Sequence, residues 1–352
     1  MLIFTNRTLG AAADESAFER SFTPGSPRLA MANVARAPGG AGWVVLQGDA
    51  DVDDGDSLRA LLPLFQGSRP VLVYLHGNNN TPAACFERCD RLAALYDVEV
   101  IGFSWTSEGF LADGSGLPSL AAGPAGDETE LDGVSTANRT ESGIQRKIRR
   151  YHQAKINAQD SVDALARFLR MLGTARLFAN AQPFSLAAHS LGAHFLQHTL
   201  DVAGASESLG AAYNVALLAP CTRASGHKDW LAAIRPKGQT FVAYNKGDSV
   251  LFGAFIADGG RQFKLGTDPT GERLQSSAVR YVSFSNASVG FGGHGYFVQD
   301  NMPKKFLALF QRIFGSKRDL EPGEAPRKIY PVGCDPDGLT CYMAAPDNPD
   351  PG

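Results

Sequence analysis

Apolar residues in this chain fall into short unbroken runs separated by stretches with helical spacing. Runs at 71–75, 98–105, 184–188, 214–219, 240–244 and 279–284 hold almost no polar residue. Runs of that length without polar alternation describe strands buried on both faces, as in a parallel sheet. Residues 2–4 and 43–46 are candidate early strands. Between the runs, residues 82–96 carry apolar positions at helical spacing behind the cap and first-turn pair Thr81-Pro82. Val162, Leu165, Phe168, Leu169 and Leu172 share one face of a long helix that begins near Gly143. Residues 191–202 and 303–314 supply two more helices. Strands alternating with helices predict an α/β fold, with a mostly parallel sheet of about eight strands covered on both faces.

Three regions fall outside this rhythm. Residues 8–42 are rich in Ala, Gly, Pro and Ser, and 107–142 hold many glycines and polar residues. A stretch like 107–142 inside a domain often works as a lid, so it is the candidate cap loop. The tail from Ser316 is rich in Pro, Gly and Asp and is expected to be irregular, leaving 1–315 as one domain. The whole chain has 352 residues, of which 44% are hydrophobic, enough for one large core.

A net charge of -3 without a long basic stripe argues against a nucleic-acid or anionic-membrane partner. No apolar stretch is long enough to span a bilayer. The start, Met1-Leu2-Ile3-Phe4-Thr5-Asn6-Arg7, lacks the basic-then-apolar pattern of a secretory signal, so a cytoplasmic location is expected. Five cysteines cannot all pair within the chain. Reduced thiols are the default, although Cys334 and Cys341 could bridge in an oxidising setting.

The chemistry concentrates at Ser185-Leu186-Ala187-Ala188-His189-Ser190-Leu191-Gly192. A buried strand stops there at a serine and turns straight into a helix. Ala188-x-Ser190-x-Gly192 has the form of a nucleophile elbow with alanine in place of the first glycine. His76-Gly77-Asn78-Asn79-Asn80 follows the strand 71–75. The backbone N–H of Asn78 and that of Leu191 would form an oxyanion hole, and losing one such donor costs about 3–4 kcal/mol of transition-state stabilisation. Asp248 follows the strand 240–244, and His294 follows the strand 279–284 in Gly292-Gly293-His294-Gly295. Nucleophile, acid and base thus occur in the order Ser190, Asp248, His294, each beyond a strand's C-terminal end. His294 would take the serine proton while Asp248 holds the imidazole. Trp105, at the end of its strand, is a candidate substrate-pocket wall.

With these motifs in place the chain resembles the α/β-hydrolase superfamily. Val71-Leu72-Val73-Tyr74-Leu75-His76-Gly77-Asn78, Phe103-Ser104-Trp105 and Ala187-Ala188-His189-Ser190-Leu191-Gly192 are most similar to uncharacterised bacterial serine hydrolases of the DUF900 type. The similarity covers residues 70–300 and leaves 1–70 and the tail unexplained. The resemblance implies the α/β-hydrolase fold and a serine hydrolase that needs no cofactor and no metal. Its partner would be a small-molecule acyl substrate, an ester or else a thioester or amide. An acyltransferase with the same triad and a non-catalytic binding module are the alternatives.

Each motif also has a plainer reading. Ser190 could simply cap a helix, and Asp248 could be a turn residue. His227 rivals His294 as base, and Asp229 and Asp258 rival Asp248 as acid. His76 and His189 are expected to fix the two turns. His194 and His198 stand one helical turn apart but lack a zinc-protease glutamate, so they read as a polar helix face. The run Asp49, Asp51, Asp53, Asp54, Asp56 places its glycine and its last ligand wrongly for a calcium loop and reads as a helix cap near Ser57. Cys85 and Cys89 read as a packing face.

Overall fold

The computed structural model describes residues 1–116, 141–179, 182–269, 271–318 and 333–344. Its strands are β1 (Leu2–Thr5), β2 (Arg7–Leu9), β3 (Phe18–Phe22), β4 (Ala30–Arg36), β5 (Trp43–Asp49), β6 (Val71–Leu75), β7 (Glu99–Ser104), β8 (Phe184–His189), β9 (Val215–Leu218), β10 (Thr240–Tyr244), β11 (Val279–Ser283), β12 (Gly333–Cys334) and β13 (Thr340–Tyr342). The α-helices are α1 (Asp54–Gln66), α2 (Pro82–Tyr96), α3 (Glu141–Asp160), α4 (Val162–Ala179), α5 (Leu191–Thr199), α6 (Ala205–Leu209), α7 (His227–Leu231), α8 (Ser249–Ala257) and α9 (Lys304–Phe314).

Eleven strands form one sheet in the order β12-β13-β11-β10-β9-β8-β6-β7-β1-β4-β5. From β13 to β1 every neighbouring pair is parallel, while β4, β5 and β12 add antiparallel edges. The central strands β6, β8, β9 and β10 are buried at every position, which is why their sequences read as unbroken apolar runs. Neighbouring side chains of β7 show the two covered faces. Phe103 packs on Phe168 of α4 and Phe195 of α5, whereas a side chain at Gly102 would point at Cys85 and Cys89 of α2.

Topology places the site. After β6 the chain adds β7 on one side, then returns to lay β8 on the other side of β6. The strand order reverses between β6 and β8, and ligands of open α/β sheets bind in the crevice beyond the strand C-termini at such a point. Leu75 pairs with Ala188 there, so the loop after β6 and the turn after β8 emerge side by side.

The sheet is larger than the eight strands expected. β4 was hidden because its buried positions, Ala30, Ala32 and Val34, are small and alternate with Met31 and Asn33. The short β2–β3 pair lies in the same Ala- and Gly-rich region. The tail is not wholly irregular: β13 pairs in parallel with β11, and a disulfide joins Cys334 of β12 to Cys341 of β13. A reducing compartment would open that bond. Full reduction is therefore not the state of this pair, while Cys85, Cys89 and Cys221 are free and buried.

The long helix expected from Gly143 is two helices, α3 and α4, divided at Ser161. Ser161 Oγ donates to Asn157 O at 2.6 Å and accepts from Asn6 Nδ2 at 2.7 Å, which ties the break to the end of β1. Helix α1 begins earlier than Ser57, at Asp54, with Asp53 accepting the Asp56 N–H at 2.7 Å. Most of the candidate cap loop, residues 117–140, lies outside the described residues. Among the described residues no helix is long and apolar enough to cross a membrane.

Candidate active site

Ser190 separates β8 from α5 with φ 52 and ψ −118. A non-glycine residue in such a conformation is strained by about 1–3 kcal/mol and persists only where its surroundings fix it. Here both of its peptide groups are engaged. Ser190 N–H donates to Leu218 O at 2.9 Å, and its carbonyl accepts from Cys221 N–H at 2.9 Å and Ala193 N–H at 3.1 Å. The hydroxyl makes no cap bond to α5, so the plain capping reading does not describe this serine. Gly192 answers to close approach instead of turn conformation. A Cβ there would lie 2.6 Å from His76 O and 2.7 Å from Leu75 O, so only glycine lets α5 press against the end of β6. Ala188, where a glycine is commoner, is fully buried.

The loop after β6 is held from behind. The His76 ring is sandwiched in bonds that fix its tautomer: Nδ1 donates to Gly77 O at 3.0 Å, and Nε2 accepts from Trp105 N–H at 3.1 Å. Trp105 Nε1 donates to His76 O at 3.0 Å, with the two rings stacked 5.6 Å apart. Trp105 is fully buried, also against Phe195 at 5.2 Å, and props this turn; it does not line the cavity described below. Asn79, with φ 56, donates its N–H to Ser107 O at 2.9 Å. Asn80 Nδ2 holds Asn78 O at 2.9 Å. Asn78 is half-buried, and among the described residues its N–H and that of Leu191, the first residue of α5, donate no backbone hydrogen bond. Two N–H groups at a helix start and an adjoining turn can take developing negative charge.

Deeper in the fold, Arg7 Nη2 lies 2.6 Å from both Glu108 Oε2 and Trp105 O, with both side chains of the ion pair buried. Arg150 of α3 reaches Glu108 O and Asn79 Oδ1 at 3.0 and 2.8 Å. Sequence reasoning missed this scaffold, because Arg7 and Glu108 stand in no motif.

Asp248 and His294 are brought together. Asp248 Oδ2 lies 2.7 Å from His294 Nδ1, and Oδ1 accepts Leu251 N–H at 2.9 Å as the N-cap of α8. The turn residue and the partner of His294 are thus one carboxylate, 1% exposed. Asn245 staples the two loops: Nδ2 donates to Gly293 O at 2.9 Å while Oδ1 accepts Gly247 N–H at 3.0 Å. Its signal was the Asn-x-Gly turn pattern. Gly293 has φ 67, and a Cβ on it would lie 2.5 Å from Asn245 Nδ2.

The rivals are committed elsewhere. His227 bridges Ala224 O and Tyr281 Oη inside the fold, and Asp229 is exposed on α7. Asp258 is held by Lys155 and Lys264.

The residue before Ser190 packs on this pair. The His189 ring lies 4.6 Å from the His294 ring and 4.8 Å from that of Phe297. Among the described residues Ser190 Oγ makes no hydrogen bond to His294; catalytic contacts are often long without substrate and tighten when it binds. His294 borders a cavity of about 580 Å³, lined also by Arg88, Val250, Val289, Phe291 and Val298.

On α5, His194 is no part of a polar face. It is 9% exposed, its ring lies 4.4 Å from that of His198, and its pKa is pushed down to about 3, first by burial and then by His198, Lys155 and Lys264. Tyr151 Oη lies 3.4 Å from Cys221 Sγ, whose own N–H holds the Ser190 carbonyl. Burial, with Cys221 and Asp258 nearby, pushes the Tyr151 hydroxyl well above its ordinary range. Among the described residues no cluster of His, Cys, Asp or Glu could hold a metal ion. No family model, curated protein or solved structure matches the chain.

Proposed function

We propose that the protein is a serine hydrolase of α/β-hydrolase type that cleaves an ester through an acyl-enzyme. One observation carries the reading: a strained serine on a strand-to-helix turn, at the switch point of the sheet, directly after His189, whose ring packs 4.6 Å from that of His294 in a buried His–Asp pair. Strain of this kind persists where the surroundings fix it and clusters at active sites, and the Ser190 hydroxyl is not spent on capping α5.

In this mechanism Ser190 Oγ attacks the acyl carbon as its proton passes to His294 Nε2. Asp248 keeps the Nδ1 proton in place and stabilises the imidazolium that forms. The carbonyl oxygen, now negative, is met by the N–H groups of Asn78 and Leu191. His294 then returns the proton to the leaving oxygen. Water, activated by the same ring, releases the acid and frees the serine. The balance is one ester and one water consumed, one acid and one alcohol formed.

The test is labelling with a fluorophosphonate probe. The folded protein should be labelled at Ser190, and Ser190→Ala should not be labelled. Folded protein that resists the probe would leave the reading without support.

A further inference from the structure

Helix α8, capped by Asp248, carries no charged residue along its length, SVLFGAFIA. Val250, Leu251, Ala254 and Ala257 are buried, as a core-facing stripe should be. The outer side is apolar too: Phe252 is 50% and Ile256 38% exposed. A helix that is apolar all round is ordinarily enclosed on all sides.

The exposed residues form a ridge. The rings of Phe252 and Phe255 lie 6.1 Å apart, and those of Phe255 and Phe263 5.0 Å apart with planes within 8° of parallel. Phe263, 59% exposed, extends the stack past the turn at Gly259 and Gly260. The short turn Phe291–Gly293 ahead of His294 touches the same helix, and Phe291 is 91% exposed. Apolar side chains therefore project beside the end of the fold where Asp248 meets His294.

Charge favours one occupant. Asp258, at the end of α8, is paired with both Lys155 and Lys264, and Arg261 stands exposed between it and Phe263. Lys264 is buried on Asp258, so the exposed charge at the border of the ridge is that of Arg261 and the half-buried Lys155, a local positive excess in a chain whose net charge is -3. Exposed aromatic side chains with a cationic border match a lipid surface bearing anionic headgroups.

We propose that the α8 ridge seats the protein on an anionic phospholipid surface. This inference rests on the serine hydrolase reading and gives it a substrate class, an ester held in a lipid layer.

The experiment is co-sedimentation of the full chain carrying Ser190→Ala, which cannot alter the vesicles by hydrolysis. The vesicles are phosphatidylcholine with or without phosphatidylglycerol. The protein should sediment with the mixed vesicles, bind less at high salt, and bind pure phosphatidylcholine more weakly. Adding Phe252→Ser and Phe263→Ser should lower the bound fraction about tenfold or more with an unchanged melting temperature. The proposal is overturned if the mixed vesicles do not retain the protein or if the phenylalanine variants bind as well. It is equally overturned if ultracentrifugation shows a dimer that those substitutions dissolve. Probe labelling of the wild-type Ser190 in parallel separates the two readings. Labelling without vesicle binding removes the ridge proposal alone. Vesicle binding without labelling removes the hydrolase reading and, with it, the substrate class.

Discussion

Asp248→Asn separates two tasks that one carboxylate performs. Oδ1 takes the Leu251 N–H at 2.9 Å to cap α8, and Oδ2 faces His294 Nδ1 at 2.7 Å. Asparagine caps a helix about as well as aspartate, so its oxygen can stay on Leu251. Its amide nitrogen then faces His294 Nδ1, and two N–H donors cannot satisfy each other. The ring responds by carrying its proton on Nε2, where it can no longer receive the serine proton. In hydrolases of this design that change lowers kcat about 10⁴-fold, or about 5.5 kcal/mol of transition-state stabilisation. Stability should change little, because the cap survives. Asp248→Ala removes the cap as well and should cost about 1 kcal/mol more, read as a melting shift of about 2 °C in a chain of this size. Hydrolysis of a p-nitrophenyl ester measured beside thermal melts distinguishes the two variants. If Asp248→Asn keeps kcat within about tenfold of wild type, or if both variants lose activity only as they unfold, Asp248 is a cap and nothing more.

Three further outcomes are expected. Gly192→Ala drives a methyl into the carbonyls of His76 and Leu75, so it should destabilise the fold by about 1–3 kcal/mol. By shifting α5 it should also slow probe labelling of the remaining folded protein about 100-fold; normal labelling would show that the elbow tolerates the shift. His194 gives an acid-sensitive stability. Its pKa of about 3 in the fold lies below the ordinary 6.5, so the unfolded chain binds the extra proton, and stability present above 6.5 is lost as pH falls toward 3. At pH 5 the loss is about 2 kcal/mol. Urea midpoints at pH 7 and pH 5 should converge in His194→Gln; an unchanged difference would assign the acid sensitivity to other groups. Arg7→Met strands the buried Glu108 carboxylate and should cost about 3–5 kcal/mol, while Arg7→Met with Glu108→Leu should recover most of it. Equal losses in urea unfolding would contradict the pairing.

The sequence exposed the parts of the fold that burial makes monotonous. β6 and β10 match their apolar runs residue for residue, and α2 begins behind Thr81 as its cap predicts. β4 escaped because small alternating residues carry little hydrophobic contrast, and β13 because a strand of three residues has no period to read. The break at Ser161 escaped because the apolar face resumes directly after it. At the site, chain order singled out Asp248 and His294, and the hydrogen bond between them follows that order. What chain order could not supply was the support: Asn245 tying the acid loop to the base loop, Arg7 meeting Glu108 across 101 positions, and Trp105 turned inward under His76. These contacts depend on tertiary proximity, which local spacing does not encode.

The central claim is that Ser190 is the nucleophile. Intact-mass and peptide analysis after fluorophosphonate treatment, on wild type and on Ser190→Ala and His294→Ala, tests it most directly. One adduct is expected, on Ser190, absent from Ser190→Ala and strongly slowed in His294→Ala. An adduct that persists in Ser190→Ala, or folded wild-type protein that takes none, would contradict it.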